Sequence, residues 1–310
     1  MLNKTRIIIT SFILVILIGI IVFILSNKVE KIIQKDSVLT EDISQDFESF
    51  HGFDYNTDLQ TIVLLGIDNN QTVKEHTNGY SGQSDAIFVY VMNVKNDTGK
   101  LLQISRDTMV DLDVYDINGE YFSQKKGQIA MQYAYGDGKE ESCILASERI
   151  SELLNHIPIQ AYISFDMGGI SEVSKSFGGI DIVLEDDNFD INSNFKKGSK
   201  VHLEGEELEA FLRSRDVKIS GSNDKRMLHH RQIIKSMMNK NIDNKEAVLK
   251  TAKPYMVTNL SFSEIEHIMS SQMDEAVIQI PGEVVEGDKH DEFYVDQKSL
   301  DKLILDLFYQ

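Results

Sequence analysis

Apolar residues along this chain fall into three patterns, and each predicts a different kind of element. The first is a single run, Ile7 to Leu25, that carries no charge and is broken only by Thr10, Ser11 and Gly19. A helix needs about 20 such residues to cross a hydrocarbon core, so this run reads as a membrane anchor. No small-x-small cleavage site follows it, which favours an uncleaved anchor over a signal peptide. Lys4 and Arg6 precede the run while Lys28, Lys31 and Lys35 follow it, so charge counting barely separates the two orientations. A short tail inside and a long domain outside is the usual outcome. This gives residues 1–6 as a cytoplasmic tail, 7–25 as a single-pass anchor in the cell membrane, and 26–58 as a polar stalk to an extracytoplasmic domain.

The second pattern is short, branched and apolar, and it predicts strands. Thr61 to Leu65 runs into Gly66-Ile67-Asp68, and Ala86 to Val94 follows Ser84-Asp85. Leu101, Leu102 and Ile104 give out at Arg106-Asp107-Thr108. Asn96-Asp97-Thr98-Gly99 is turn chemistry, so the second and third runs form a hairpin. Antiparallel pairing then brings Asp68, Asp85 and Arg106 to one edge of a sheet. Gln160 to Phe165 and Ile180 to Leu184 are further strands, with a short helix from Met167 to Phe177 between them, which suggests a crossover unit.

The third pattern repeats at helical spacing. Ser142 to Asn155 carries an apolar stripe, and Leu203 to Leu212 leads into Arg213-Ser214-Arg215. Residues two apart on a helix point about 200° apart, so Arg213 and Arg215 converge only if the helix ends near Arg213. A further helix is expected to start after Ser220 to Asp224 with Arg226 in its first turn, where exposed N–H groups favour anions. His229 and His230 share the face of Arg226, whereas Arg231 lies about 140° away. The fold class is α/β: a layered α-β-α domain with a central mixed sheet, preceded by one N-terminal transmembrane helix. Residues 59–240 form its core. Residues 241–310 form an extension packed on that core, with a helix near 261–271, a strand at 276–280, an acidic loop and a closing helix at 297–308.

Charge narrows the function. Of 310 residues 49 are acidic and 31 are Lys or Arg, for a net charge of -18, which repels nucleic acid. The one cysteine, Cys143, cannot form an internal disulfide and reads as a buried small residue. In a chain so short of bases, Arg106, Arg213, Arg215 and Arg226 stand out beside short apolar elements. Taken singly, each also fits a solvated helix charge or a strand-end ion pair. If they converge they make a cradle for a polyanion, because guanidinium forks match phosphate oxygens. Asp68 and Asp85 beside them would hold Mg²⁺, with substrate phosphates completing its shell; the alternative for both acids is strand-end capping.

Seven motifs in order carry a resemblance: LLGID at Leu64 to Asp68, SD at Ser84 to Asp85, ISRDT at Ile104 to Thr108, YAYG at Tyr133 to Gly136, FGGIDI at Phe177 to Ile182, LEGEELEAFLRSRD at Leu203 to Asp216, and RQIIK at Arg231 to Lys235. Together they resemble the LytR-CpsA-Psr family of cell-envelope proteins. The resemblance implies a phosphotransferase outside the membrane. It joins a polyprenyl-pyrophosphate-linked glycopolymer, such as teichoic acid or capsule, to peptidoglycan and releases polyprenyl phosphate. It also implies Asp68 and Asp85 at a Mg²⁺ site and Arg106, Arg213, Arg215 and Arg226 around the pyrophosphate, with an apolar groove for the lipid. This chain departs from the family pattern at Gln83, where Arg is usual, at Gln128, where Lys is frequent, and at His229, where a second Arg is usual. Arg231, His229 and His230 are the residues that would compensate. Two other readings remain open: a non-catalytic module that binds or senses such lipids, and an envelope-gene regulator that does not touch DNA.

Overall fold

A computed structural model describes residues 50–76, 81–116, 118–214, 222–238, 240, 245–261, 264, 272–287 and 290–310. The expected anchor at 7–25, most of the stalk, and Arg215 lie outside the described residues. Among those described, no helix is long and apolar enough to cross a membrane.

The strands, in chain order, are β1 (Leu59–Ile67), β2 (Ser84–Asn93), β3 (Thr98–Ile104), β4 (Met109–Tyr115), β5 (Tyr121–Gln128), β6 (Ala161–Asp166), β7 (Ile180–Val183), β8 (Lys200–Leu203), β9 (Met256–Thr258), β10 (Gln272–Gln279), β11 (Gly282–Glu286) and β12 (Asp291–Val295). The α-helices are α1 (Glu140–Leu153), α2 (Ile170–Ser176), α3 (Glu206–Arg213), α4 (Ser222–Met238), α5 (Lys245–Ala252) and α6 (Gln297–Phe308). Six strands build the central sheet in the order β10-β3-β2-β1-β6-β9. Its pairs β1–β6 and β10–β3 are parallel and the rest antiparallel, so the sheet is mixed.

Period-two alternation along β1 explains the layers. Ile62 and Leu64 face one side with Phe88 and Tyr90, packing on Leu208, Phe211 and Ile233 of the helices there. Val63, Leu65 and Ile67 face the other with Ile87 and Val89, packing on Cys143, Ile150, Leu300 and Ile304. Helices thus cover both faces, the α-β-α sandwich expected.

Four expectations change. The strand at 180–183 does not join the central sheet; it pairs with β8 as a separate hairpin. Gly178 and Gly179 both adopt positive φ and turn the chain away, and β9 takes the position beside β6 instead. The trailing segment is not an extension laid on a finished core, because β9 and β10 form the two edges of the central sheet. The stalk boundary at 58 is late, since Tyr55 is 7% exposed, bridged to Tyr309. Finally, β11–β12 is a ribbon where an acidic loop was expected, and β4–β5 is a second ribbon. β5 is largely exposed, so it lacks the alternation that marks a half-buried strand. The helix near 261–271 falls almost wholly outside the described residues.

Candidate active site

β1 and β2 leave the sheet side by side, and one irregularity there aims an acid. Gly66 pairs with Ala86, but Ile67 pairs with Ser84, so Asp85 is the extra residue of a β-bulge. Bulges turn a side chain out of the regular alternation. Gly82, at φ +87°, packs against the Asp68 carbonyl where a Cβ could not fit, and the Asp68 amide donates to the Gln83 carbonyl at 2.9 Å. Asp68 and Asp85 are therefore both fixed at the rim by backbone geometry.

Three arginines from three segments meet these acids. Arg106, two residues past β3, places Nη1 2.6 Å from Asp85 Oδ1, and its Nη2 donates to Gln83 Oε1. Arg226 donates from Nη1 to Asp85 Oδ2 at 2.6 Å and from Nη2 to Asn223 Oδ1 at 2.9 Å. Arg213, the last residue of α3, donates to Asp68 Oδ1, to Asn70 Oδ1 at 2.6 Å and to Glu209 Oε1 at 3.0 Å. The helix does end at Arg213, with Ser214 extended, as convergence with Arg215 requires. Asp68, Asp85, Arg106, Arg213, Arg226 and His230 line one cavity of about 550 Å³. Three guanidinium groups and two carboxylates face the cavity, with Glu209 behind Arg213 at 3.0 Å and Asp107 3.7 Å from Arg106 Nε.

The cavity has an apolar neighbour. Ala86, Met167, Leu212 and His230 border both it and a second space of about 870 Å³ between the sheet and helices α2, α3 and α4. Phe88, Phe165, Phe177, Leu208, Ile233 and Ile234 are among its walls. A charged chamber sharing a wall with a greasy one fits a ligand with a polyanionic head and a hydrocarbon tail.

A model of the LytR_cpsA_psr family matches residues 23–307. The chain belongs to that family. It is 31% identical over 219 residues to the polyisoprenyl-teichoic acid–peptidoglycan teichoic acid transferase TagV of Bacillus subtilis, a match covering 66% of this chain and 50% of that protein. With a TagU transferase of Enterococcus faecalis it shares 27% identity, over 67% of this chain and 64% of the relative. Among solved structures, B. subtilis TagV superposes with a TM-score of 0.59 at 27% identity, covering 81% of this chain and 96% of that one. A TagT structure bound to LI-WTA gives 0.58 at 22% identity, covering 81% and 90%.

Against the LytR-CpsA-Psr pattern, the structure sorts the expected residues. Arg226 is in the cradle from the second turn of α4 rather than the first, because the helix already includes Ser222. His230 is in the cradle too. Its Nε2 lies 3.1 Å from the Leu212 carbonyl, which can only accept, so Nε2 carries the hydrogen and Nδ1 is an acceptor that meets no partner among the described residues. Burial, with Arg226 close by, pushes its pKa down to about 3, so the ring is neutral.

Two residues expected at the substrate are not there. His229 is fully buried, stacked on Phe211, and divides its nitrogens between the Phe211 carbonyl at 2.9 Å and Asp186 at 3.2 Å. It ties α3 and the loop after β7 to α4. Arg231 points to the other flank of α4 and donates to Gln103 Oε1 at 2.7 Å, the outcome its helical phase dictates. The two departures Gln83 and Gln128 also have structural work. Gln83 supports Arg106, and Gln128 donates to Asp107 Oδ1 at 2.7 Å and to the Asp291 carbonyl at 3.0 Å.

Sequence reasoning missed Asn70 and Asn223, which orient Arg213 and Arg226, and a sealed pair behind the rim. His76 Nε2 sits 2.9 Å from Asp166 Oδ2, with both side chains almost fully buried, while Nδ1 sits 2.5 Å from the Gly138 carbonyl. Both ring nitrogens face acceptors, so the pair must hold a shared proton in addition to the one on Nδ1. Desolvation raises the Asp166 pKa to about 6 against the pull of His76. For His76, desolvation is outweighed by Asp166 and Gly138, and its pKa is raised. The signal was present: YISFD at Tyr162 to Asp166 repeats the apolar-run-then-acid pattern of LLGID.

Whether Mg²⁺ suits the cradle can be judged from its donors. Among the described residues no three His, Cys, Asp or Glu side chains gather as a metal group. Asp68 and Asp85 are the two carboxylates on the cavity. One or two carboxylates, with phosphate oxygens and water for the rest, is how proteins commonly hold Mg²⁺, so the donor set fits.

Proposed function

We propose that the chain is a Mg²⁺-dependent extracytoplasmic phosphotransferase that joins a polyprenyl-pyrophosphate-linked glycopolymer to peptidoglycan. The observation that carries this reading is the shared wall of the two chambers, which suits a diphosphate head continuous with a polyprenyl tail. The names of the TagV and TagU relatives point the same way. Residues 7–25 would hold the domain at the outer leaflet with the N-terminus in the cytoplasm, which places the apolar chamber within reach of its lipid.

In this mechanism an acceptor hydroxyl attacks the phosphorus that bears the glycan. The bond from that phosphorus to the bridging oxygen breaks, and polyprenyl phosphate leaves with the electron pair. Arg106 and Arg226, already desolvated and aimed into the cavity, bind the phosphate oxygens, each charged hydrogen bond contributing about 1.5–3 kcal/mol. Arg213 closes the outer side. Asp68, whose side chain is 49% exposed, is the carboxylate placed to take the hydroxyl proton. Asp85 orients the two inner arginines. Mg²⁺, held by Asp68 and Asp85, would supply further neutralisation of the phosphate charge.

The test is ligation of a lipid-linked polymer to peptidoglycan fragments by the full chain in detergent with Mg²⁺. A phosphodiester product is expected from the wild type and none from Arg106→Ala. No wild-type product, where a TagV control succeeds, overturns the reading. The seclusion of His229 from the cradle favours one rival, a module that binds the lipid without turning it over. That rival predicts lipid binding with no product in the same assay.

A further inference from the structure

Arg231 is unused by the mechanism, and its surroundings are those of a second site. Together with Asp224 and Gln279 it borders an open groove of about 830 Å³ between α4 and the corner where β10 meets β11. Ile280, Val284 and Phe293 form the apolar wall. Arg231 is anchored by Gln103, itself 1% exposed and donating to the Met227 carbonyl at 3.2 Å. One of its five N–H donors is thus spent on holding the guanidinium still beside the groove.

A single hydrogen-bonded strip divides this groove from the cradle. Arg106 lines the cradle, and its neighbours in sequence tie to the groove side. Asn223, next to Asp224, donates to Ser105 Oγ at 3.3 Å, and the Phe293 amide donates to the Asp107 carbonyl at 2.8 Å. The two hollows therefore flank one turn, Ser105 to Asp107. Their chemistry differs. The cradle gathers three guanidinium groups, whereas Arg231 and Asp224 at the groove cancel, leaving a carboxamide and an aromatic ring beside them. Such a set suits an uncharged ligand rich in hydroxyl and amide groups with apolar ring faces, and it offers nothing special to a polyanion.

We propose that this groove binds the acceptor, an N-acetylated sugar chain, and presents one hydroxyl across the Ser105–Asp107 turn to the phosphorus in the cradle. The word acceptor rests on the transferase reading; the saccharide site does not. The donor enters from the apolar chamber, so the acceptor approaches from the opposite flank of the turn.

Calorimetry of the full chain in detergent micelles with chitotetraose, a tetramer of β-1,4-linked N-acetylglucosamine, tests the site without turnover. Binding is expected in the wild type, weakened about tenfold in Asp224→Asn and Gln279→Ala. Both side chains are exposed, so neither change threatens the fold. Arg231→Ala is expected to weaken binding further. No wild-type binding at millimolar saccharide, or equal affinity in Asp224→Asn, Gln279→Ala and Arg231→Ala, overturns the proposal. In the ligation assay the same variants should raise the acceptor KM and leave the donor KM alone. Saccharide binding without any transfer would sink the transferase reading and keep the site; transfer with unaltered acceptor KM in all three variants would do the reverse.

Discussion

Asp85 and Asp68 leave neighbouring strands at one rim, yet the fold treats them oppositely. Asp85 sits in a bulge with 12% of its side chain exposed, each oxygen facing a buried guanidinium. Asp68 is half exposed and shares Arg213 with Asn70 and Glu209. The enclosed acid keeps two like charges together, and the open one faces solvent.

Substituting each acid should break the comparison most sharply. Asp85→Ala removes the acid that the buried Arg106 and Arg226 share, which should cost about 3–5 kcal/mol of stability and abolish transfer. Chemical denaturation beside the ligation assay checks both effects. Asp68→Asn removes the proton acceptor and is expected to slow transfer about 10²- to 10⁴-fold, while stability moves by less than about 1 kcal/mol because the pair is exposed. Equal stability losses in the two variants would erase the distinction.

The apolar chamber gives the next effect. Val173→Phe, which fills space on its wall, should raise the KM for long polyprenyl donors and spare short-chain analogues, as competition kinetics with donors of graded length would reveal.

The smallest effect contrasts both rim acids with the sealed Asp166. His76 and Asp166 each have a raised pKa, so the folded protein holds their protons more tightly than the unfolded chain. Their contribution is complete at low pH, begins to fade above the ordinary carboxyl range, and is lost as pH rises through about 6 and then through the His76 value. Asp166→Asn can donate from its amide to a neutral His76. That variant should keep its stability from pH 6 to 9 while the wild type loses some, which denaturation midpoints across that range would show.

Part of this was legible because short apolar runs ending in charge mark strand ends: LLGID, SD and ISRDT put Asp68, Asp85 and Arg106 at one edge of a sheet, where the structure has them. Helical phase placed Arg226 and Arg231 on different faces, and the structure keeps them apart. What sequence alone did not disclose depends on partners distant along the chain. The bulge at Asp85 is a property of two strands in register, and whether 180–183 joins β6 or β8 is decided by a glycine pair and by β9, some 75 residues further on. His229 looked like a cradle residue because it shares a face with Arg226; Phe211 and Asp186, from other segments, claimed it.

That β9 and β10 bound the sheet has a consequence for biogenesis. A chain emerging N-terminus first shows the outer flanks of β3 and β6 with nothing to pair them until residues 256–279 arrive. For that interval the nascent protein carries two sticky ribbons, open to a neighbouring copy or to a chaperone. The last fifth of the polypeptide is what seals it.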